Sequence, residues 1–425
     1  MFSILRWVAI GLVTESLVFV TPGYSAKVAL VQAIAQAQRL SPDIRNLQNQ
    51  LESTEAKARQ ALAPSEPNFN ITYGDMTQAF NPSLSASTAY QLTQPLAFPG
   101  KAFVNRASIS EQAEALRSQL RSMELQVATN IKTAYYQLGL AKKNIQINKT
   151  QQDFYERLLA IAKRRYEAGS ITQVDFLNTK LSLYSNENDL ADLQANVISA
   201  RTQLNVLLYN PIDFDIEVDP IPVTEHPPID VSLARAKMID QRPEIRAAAH
   251  QVSSADKLNK LAWMSLLPDF QLTAGTTFYN VSTATPYSGL PDAPLHTYSA
   301  QVQLTMPLWF LLNEREGIVS TGHDRAAADA NLGSVVNQSN ISFETSLANL
   351  NAMRVKLDNY EKNIVPLSKQ SLDLALVSYG TGKIDFVTLA TTAMAWRNAQ
   401  RDYFAMLVNY LTSYASFGQL LGEDL

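Results

Sequence analysis

The chain has 425 residues, of which 46% are hydrophobic and only 17% charged, with 15 Gly and 19 Pro. That balance excludes a disordered polyelectrolyte and a collagen-like or linker composition, so most of the length forms regular structure with an apolar face to bury. A formal charge of -4 and no Lys/Arg-rich stripe argue against nucleic acid as a partner, and zero Cys removes disulfides, thiolate catalysis and Cys-ligated metal.

At the N-terminus, Arg6 precedes an apolar run from Trp7 to Val13 and a second from Leu17 to Val20, followed by Thr21-Pro22-Gly23-Tyr24-Ser25. Small residues at Gly23 and Ser25 fit cleavage before Ala26, so residues 1–25 read as a signal peptide. Glu15, a charge inside the apolar stretch, keeps a membrane anchor or an unusual soluble N-terminus open as alternatives. No later stretch offers about 18 uninterrupted apolar residues, so no later helix is expected to span a bilayer.

Residues 26–62 read as helix, 67–80 and 88–98 as strands, 101–168 as one long helix, and 172–208 as its partner after a turn. A Pro-rich connector covers 210–230. The same order then returns, with helix at 231–266, strands at about 268–281 and 296–310, a long helix at 313–379 that Pro366 should bend, and a last helix at 385–421. At about 1.5 Å per residue the long helices reach roughly 100 Å and their partners roughly 55 Å.

The return is a duplication. Pro42-Asp43-Ile44-Arg45 recurs as Pro243-Glu244-Ile245-Arg246, and Pro67-Asn68-Phe69-Asn70 as Pro268-Asp269-Phe270-Gln271, both at an offset of 201 (42 to 243, 67 to 268). Leu92-Thr93-Gln94-Pro95-Leu96 recurs as Leu304-Thr305-Met306-Pro307-Leu308 at 212 (92 to 304), and Tyr166, Gly169 and Ile171 as Tyr379, Gly382 and Ile384 at 213 (166 to 379). Residues 26–209 and 231–425 are therefore two structural repeats, and the second carries extra residues in one loop, where insertions are tolerated.

The strands alternate. Phe270, Leu272, Ala274, Thr276 and Phe278 oppose Gln271, Thr273, Gly275 and Thr277, and Phe69, Ile71 and Tyr73 oppose Asn68, Asn70 and Thr72. A water-soluble antiparallel sheet with one buried face gives the same pattern, but a polar face of Gln, Asn, Ser and Thr with almost no charge suits a wet lumen. Aromatics at Phe69, Tyr73, Phe278, Tyr298 and Trp309 sit near the strand ends, where interfacial girdles lie. Four strands cannot close a barrel and an open edge is not tolerated in lipid, so membrane-spanning strands here require several chains to share one barrel.

In the first long helix Ala113, Leu116, Leu120, Met123, Val127, Ile131, Ala134 and Leu138 follow steps of three and four, and in the second Phe343, Leu347, Leu350, Leu357, Ile364, Leu367 and Leu374 are expected on one face. Away from such stripes, Asn178, Thr179, Ser182, Ser185 and Asn186 are neutral where a solvated coiled coil would carry Glu and Lys. A wide aqueous bore explains this, with a periplasmic coiled-coil rod as the plainer alternative.

This duplicated pattern resembles the TolC-like outer-membrane efflux proteins over residues 27–422. The motifs that carry the resemblance are Tyr166-Glu167-Ala168-Gly169 followed by Asp175, its degenerate copy Tyr379-Gly380-Thr381-Gly382, and the strand exit Phe98-Pro99-Gly100-Lys101, the last most similar to the heavy-metal (cation) efflux branch. The resemblance implies a mainly α fold with membrane β, in which a helix-strand-strand-long helix-helix unit is duplicated. Four strands per chain then join a shared twelve-stranded barrel in a homotrimer, continuous with a long periplasmic α-helical coiled-coil tunnel. It implies a passive exit duct in outer-membrane lipid that works with a periplasmic adaptor (membrane fusion protein) and an inner-membrane pump of resistance-nodulation-division type. The exit duct of a type I protein-secretion system, and, from another class, a soluble periplasmic coiled-coil scaffold, are the alternatives.

By the same resemblance Tyr166, Gly169, Ser170, Ile171, Gly380, Gly382 and Ile384 form adaptor-facing tips, and Asp175 and Tyr379 line a periplasmic aperture. Thr172-Gln173-Val174-Asp175 reads equally as a capping box and Asp385 as an N-cap, two roles that can coexist with the first. Where the family often carries a basic and an acidic residue after the second Gly, this chain has Ile384 and Thr388, leaving Lys383 and Asp385 as the charged substitutes. His226, His250, His296 and His323 show no ligand spacing, so no catalytic residue, metal site or cofactor is expected, and the chain does not read as an enzyme.

Overall fold

The computed structural model describes residues 26–76, 81–223, 229–279, 296–306, 308–311 and 313–424. The leader at 1–25, connector residues 224–228, and the parts of the expected strands at 77–80, 280–281 and 307 lie outside the described residues.

The chain opens with β1 (Ala26–Lys27), α1 (Leu30–Leu40) and α2 (Pro42–Gln60), followed by the hairpin β2 (Asn68–Met76) and β3 (Ser85–Leu96). The helical hairpin α3 (Lys101–Glu167) and α4 (Gln173–Leu207) comes next, then β4 (Ile216–Glu217) in the connector. The second half runs through α5 (Val231–Gln241), α6 (Pro243–Met264), β5 (Asp269–Tyr279), β6 (His296–Thr305), α7 (Glu314–Asn359), α8 (Val365–Gly380) and α9 (Phe386–Leu421).

Three expectations need correction. The helix expected over 26–62 begins instead as a strand, with Ala26 and Lys27 paired in parallel with Ile216 and Glu217. It is then broken at Ser41, whose φ of -58° and ψ of 121° are extended because Pro42 follows, and whose hydroxyl oxygen accepts the Ile44 N–H at 3.4 Å to start α2. The helix expected over 231–266 breaks identically at Arg242, before Pro243. Third, the long helix expected over 313–379 is not uninterrupted α: it departs from α geometry just before Pro366, where a bend is expected. The ladder widens just ahead of it into a five-residue π turn, Tyr360–Ile364, which accommodates the missing donor. The wider turn re-aims everything after it, so Leu367 and Leu374 are 62% and 70% exposed, and Leu372 and Tyr379 are buried in their place.

Three apolar clusters hold the helices, each fully buried Leu or Phe contributing about 1.5–3 kcal/mol. One joins Ala33 and Ile34 of α1 to Ile131, Tyr135 and Leu138 of α3, Leu204 of α4, and Ile216 of β4. The Tyr135 hydroxyl donates to the Val28 carbonyl at 3.0 Å and accepts the Asp219 N–H at 2.7 Å, which pins the connector to the long helix. A second cluster unites Phe343 and Leu350 of α7 with Met238 of α5 and Phe417 of α9. The third joins Tyr155 and Leu158 of α3 to Leu372 and Tyr379 of α8 and Leu389 of α9, so the two helical hairpins share one core near their turns. Polar pairs fix the register between helices: Asn148 and Asn186, both buried, exchange hydrogen bonds between α3 and α4, with Asn148 Nδ2 at 3.2 Å from the Asn186 carbonyl and Asn186 Nδ2 at 3.3 Å from the Asn148 carbonyl.

Candidate functional site

The four longer strands form one antiparallel sheet in the order β2-β3-β5-β6. The register lines up Phe69 with Leu92, Leu92 with Ala274, and Ala274 with Ala300, so one face carries Phe69, Ile71, Tyr90, Leu92, Leu272, Tyr298 and Val302. The opposite face carries Asn70, Thr72, Gln91, Thr93, Thr273, Gln301 and Gln303, as period-2 alternation requires. Thr93 and Thr273 face each other across this polar surface with hydroxyls 3.0 Å apart. The apolar face is uncovered: Phe69 is 61% and Val302 63% exposed. β2 and β6 are the edges of the sheet, each paired on one side among the described residues.

The strand-exit motif has a clear job. Lys101 Nζ lies 2.8 Å from Asp269 Oδ1 and 3.0 Å from the Leu267 carbonyl, and the Phe98 N–H donates to the same carboxylate at 2.7 Å. The exit of β3 is thereby tied to the entry of β5.

At the other end of the long helices the two turns share one geometry. Gly169 (φ 68°) and Gly382 (φ 76°) each take the left-handed conformation at a helix C-terminus. The Ser170 N–H donates to the Arg165 carbonyl at 2.8 Å, and the Lys383 N–H to the Ser378 carbonyl at 2.9 Å, the same Schellman bond in both repeats. The next helix starts with mirrored chemistry. Thr172 caps Asp175 in a reciprocal capping box, whereas Asp385 accepts the Thr388 N–H at 2.9 Å.

An open recess of about 490 Å³ between the turns is lined by Asp175, Tyr379, Lys383 and Asp385, together with Gly169, Ser170, Ile171, Gly382 and Ile384. Tyr166 and Gly380 are not among its lining; the Tyr166 ring stacks on Phe176 with centroids 5.5 Å apart. Arg165, which the sequence reading missed, is central. Its guanidinium donates to the Tyr379 carbonyl at 2.6 Å and lies 4.9 Å from the Tyr379 ring centroid. Its only sequence signal is the run Lys163-Arg164-Arg165, which reads as ordinary complement to the helix macrodipole. Burial pushes the Tyr379 hydroxyl up in pKa, with Arg165 opposing and Asp175 adding to the rise. Asp385 is held below its ordinary value by hydrogen bonds from the Thr388 side chain and N–H.

Of the histidines, His250 Nδ1 lies 2.9 Å from Glu111, His296 meets the Phe278 ring edge-on, and His226 lies outside the described residues. Among the described residues no group of three His, Asp or Glu is placed to hold a metal ion, and no helix is long and apolar enough to cross a membrane.

The fold is shared with solved channels. Crystal structures of CusC superpose with a TM-score of 0.76 over 93% of this chain and 92% of that one at 15% identity, and VceC from Vibrio cholerae with 0.74 over 93% and 96% at 17%. In sequence the chain is 20% identical over 368 residues to the cobalt-zinc-cadmium resistance protein CzcC of Cupriavidus metallidurans, covering 85% of this chain and 80% of that protein. The family model described as "Outer membrane efflux protein" matches residues 33–208 and 235–423, a match to each half of the chain. The chain belongs to the outer membrane efflux protein family, and its site of action is the outer membrane with its helices extending into the periplasm.

Proposed function

We propose that the chain is one protomer of a homotrimeric passive exit duct, in which three sheets share one twelve-stranded barrel and the helices enclose a tunnel. The observation that carries this reading is the sheet. Among the described residues its apolar face is open, its opposite face is polar and nearly uncharged, and each edge strand is paired on one side alone. Unpaired backbone groups are not tolerated in lipid, so four strands must close with strands of other copies. Rows of exposed apolar residues on α4 (Leu177, Leu181, Tyr184) and α8 (Leu367, Leu374, Val377) support the same assembly, because neighbouring protomers would cover them.

The duct serves a tripartite efflux system. An inner-membrane pump of resistance-nodulation-division type supplies the energy, and an adaptor docks on the turns at Tyr166, Gly169, Ser170, Ile171, Gly380, Gly382 and Ile384. Asp175, Tyr379, Lys383 and Asp385 line the periplasmic aperture. The likeness to a cobalt-zinc-cadmium resistance protein favours heavy-metal cations or other small solutes as cargo. The chain itself performs no chemical step.

Planar-bilayer conductance of detergent-purified protein, with the oligomeric mass measured in the same preparation, tests the reading. A trimer that inserts and conducts is the expected result. A species extracted without detergent that never conducts overturns it in favour of a periplasmic coiled-coil scaffold.

A further inference from the structure

The helix α8 carries two apolar stripes. The one in step with Phe343, Leu350, Leu357 and Ile364 continues through Leu367 and Leu374, both exposed. The one that is buried, Leu372 and Tyr379, stands a single residue out of step, and the π turn Tyr360–Ile364 absorbs that residue. Were the turn to tighten into α geometry, α8 would rotate by about 100° and advance by about 1.5 Å, so each residue would take the place of the next. Ser371 would replace Leu372, Ser378 would replace Tyr379, and Leu367 and Leu374 would move to the half-buried places of Ser368 and Ala375. Pro366, with no N–H to give, would kink this second form.

Three features favour exchange between the two forms. The Tyr379 hydroxyl is buried with no hydrogen-bond partner among the described residues, a cost of the present form that rotation removes. A cavity of about 290 Å³ lined by Val365, Ile147, Tyr403 and Phe404 lies against the joint between the π turn and α8, which leaves the backbone room to move. Beyond α8 the second turn holds Gly380 and Gly382 where the first has Glu167 and Gly169, and a Cβ at Gly380 meets nothing within 4 Å, so the turn can take up a small displacement. The first repeat lacks all of this: α3 is uninterrupted from Lys101 to Glu167, with Asp153 at the offset of Pro366.

We propose that the π turn is a register switch: α8 exchanges between the form shown, which buries Leu372 and Tyr379, and a second form that draws Leu367 and Leu374 inward and releases Tyr379 from Arg165. The contacts of Arg165 with the Tyr379 carbonyl and ring hold the first form. In that form the outer row at Leu367 and Leu374 faces a neighbouring copy in the assembly proposed above, so the exchange trades a contact between copies for one within the chain. The exchange concerns α8 itself, and its effect on the duct rests on the aperture reading above.

With no native Cys, single substitutions report which face of α8 is buried. Ser371→Cys and Leu372→Cys are each made in the full-length protein, with Arg165 present and with Arg165→Ala, and the purified protein is labelled with a charged maleimide. With Arg165 present, Ser371→Cys should react about tenfold faster than Leu372→Cys, since reaction follows the exposed population. In Arg165→Ala the order should reverse, because each residue moves one place round the helix. Deleting Asn363 from Arg165→Ala removes the extra residue, keeps Leu372 and Tyr379 in step and should restore the first order. An unchanged order in Arg165→Ala overturns the switch. So does fast reaction at both positions, which marks fraying in place of rotation. Ser371→Cys alters an exposed position, so loss of its reactivity stays readable even where Leu372→Cys lowers the yield of folded protein. A reversed order with unchanged planar-bilayer conductance supports the switch and removes the aperture reading.

Discussion

Arg165 and Tyr379, 214 residues apart, are joined twice, by a 2.6 Å hydrogen bond to the Tyr379 carbonyl and by stacking of the guanidinium 4.9 Å from the ring centroid. The clamp runs one way. At the offset of the repeat, Arg165 corresponds to Ser378, so only the first turn reaches across to the second.

Removing that clamp should loosen the aperture. A hydrogen bond from a charged donor is worth about 2 kcal/mol, enough to move a two-state equilibrium roughly 30-fold. Arg165→Ala is expected to raise conductance in planar bilayers while the trimer mass stays the same, and Arg165→Lys to restore little, because a point charge does not reproduce the planar stack. Unchanged conductance in both variants would show that the contact does not restrict the opening.

The turn at Gly169 separates docking from folding. A Cβ there meets nothing within 4 Å, so a substitution carries only the backbone cost of the left-handed conformation, about 1 kcal/mol. Gly169→Glu should leave trimers in the membrane with normal conductance yet abolish cargo efflux in cells; Gly382→Glu should also abolish efflux, but a Cβ there lies 3.4 Å from the Arg165 guanidinium, so a change in conductance is expected with it. Normal efflux from both would remove the turns as adaptor contacts.

Protonation should leave the turns undisturbed over a wide range. Asp385 has a lowered pKa in the fold, so its capping contribution is present above the unfolded value and is lost as pH falls through the folded one, in the acid range below about 4. Tyr379 has a raised pKa, so its contribution is present below its ordinary value near about 10 and is lost as pH rises beyond it. Amide exchange in the first turn of α9 should follow its ordinary base-catalysed trend between pH 5 and 9 with constant protection, and Asp385→Asn, which still caps, should abolish the acid-side loss. Loss of protection near pH 6 would contradict both assignments.

The reciprocal Asn148 and Asn186 pair gives a stability test. Asn148→Leu strands the buried amide of Asn186 and is expected to cost about 1–3 kcal/mol, whereas Leu at both positions should recover much of it. Thermal unfolding of the purified protein measures both.

The sequence made the repeating plan readable because its signals are local: alternation in Phe270 to Phe278, heptad steps from Ala113 to Leu138, and glycines at 169 and 382. What it concealed is not local. The breaks at Ser41 and Arg242 follow from Pro42 and Pro243, yet on each side the apolar periodicity continues and masks the interruption. Arg165 looks like a helix-end charge until the second turn is folded beside it. Pro366 announced a disturbance without saying which kind, since a kink and a widened turn have the same sequence.

That widened turn also keeps count. Phe343 and Leu350 are a heptad apart, as are Leu372 and Tyr379, but Leu350 and Leu372 are separated by 22 positions (350 to 372), one more than three heptads. The π turn houses the odd residue, so both buried pairs meet α9 along one seam although the helix is out of frame between them. Deleting one residue within 360–364 therefore returns the segment to plain α geometry with the seam intact, while the same deletion inside the uninterrupted α3 would rotate everything beyond it by about 100°.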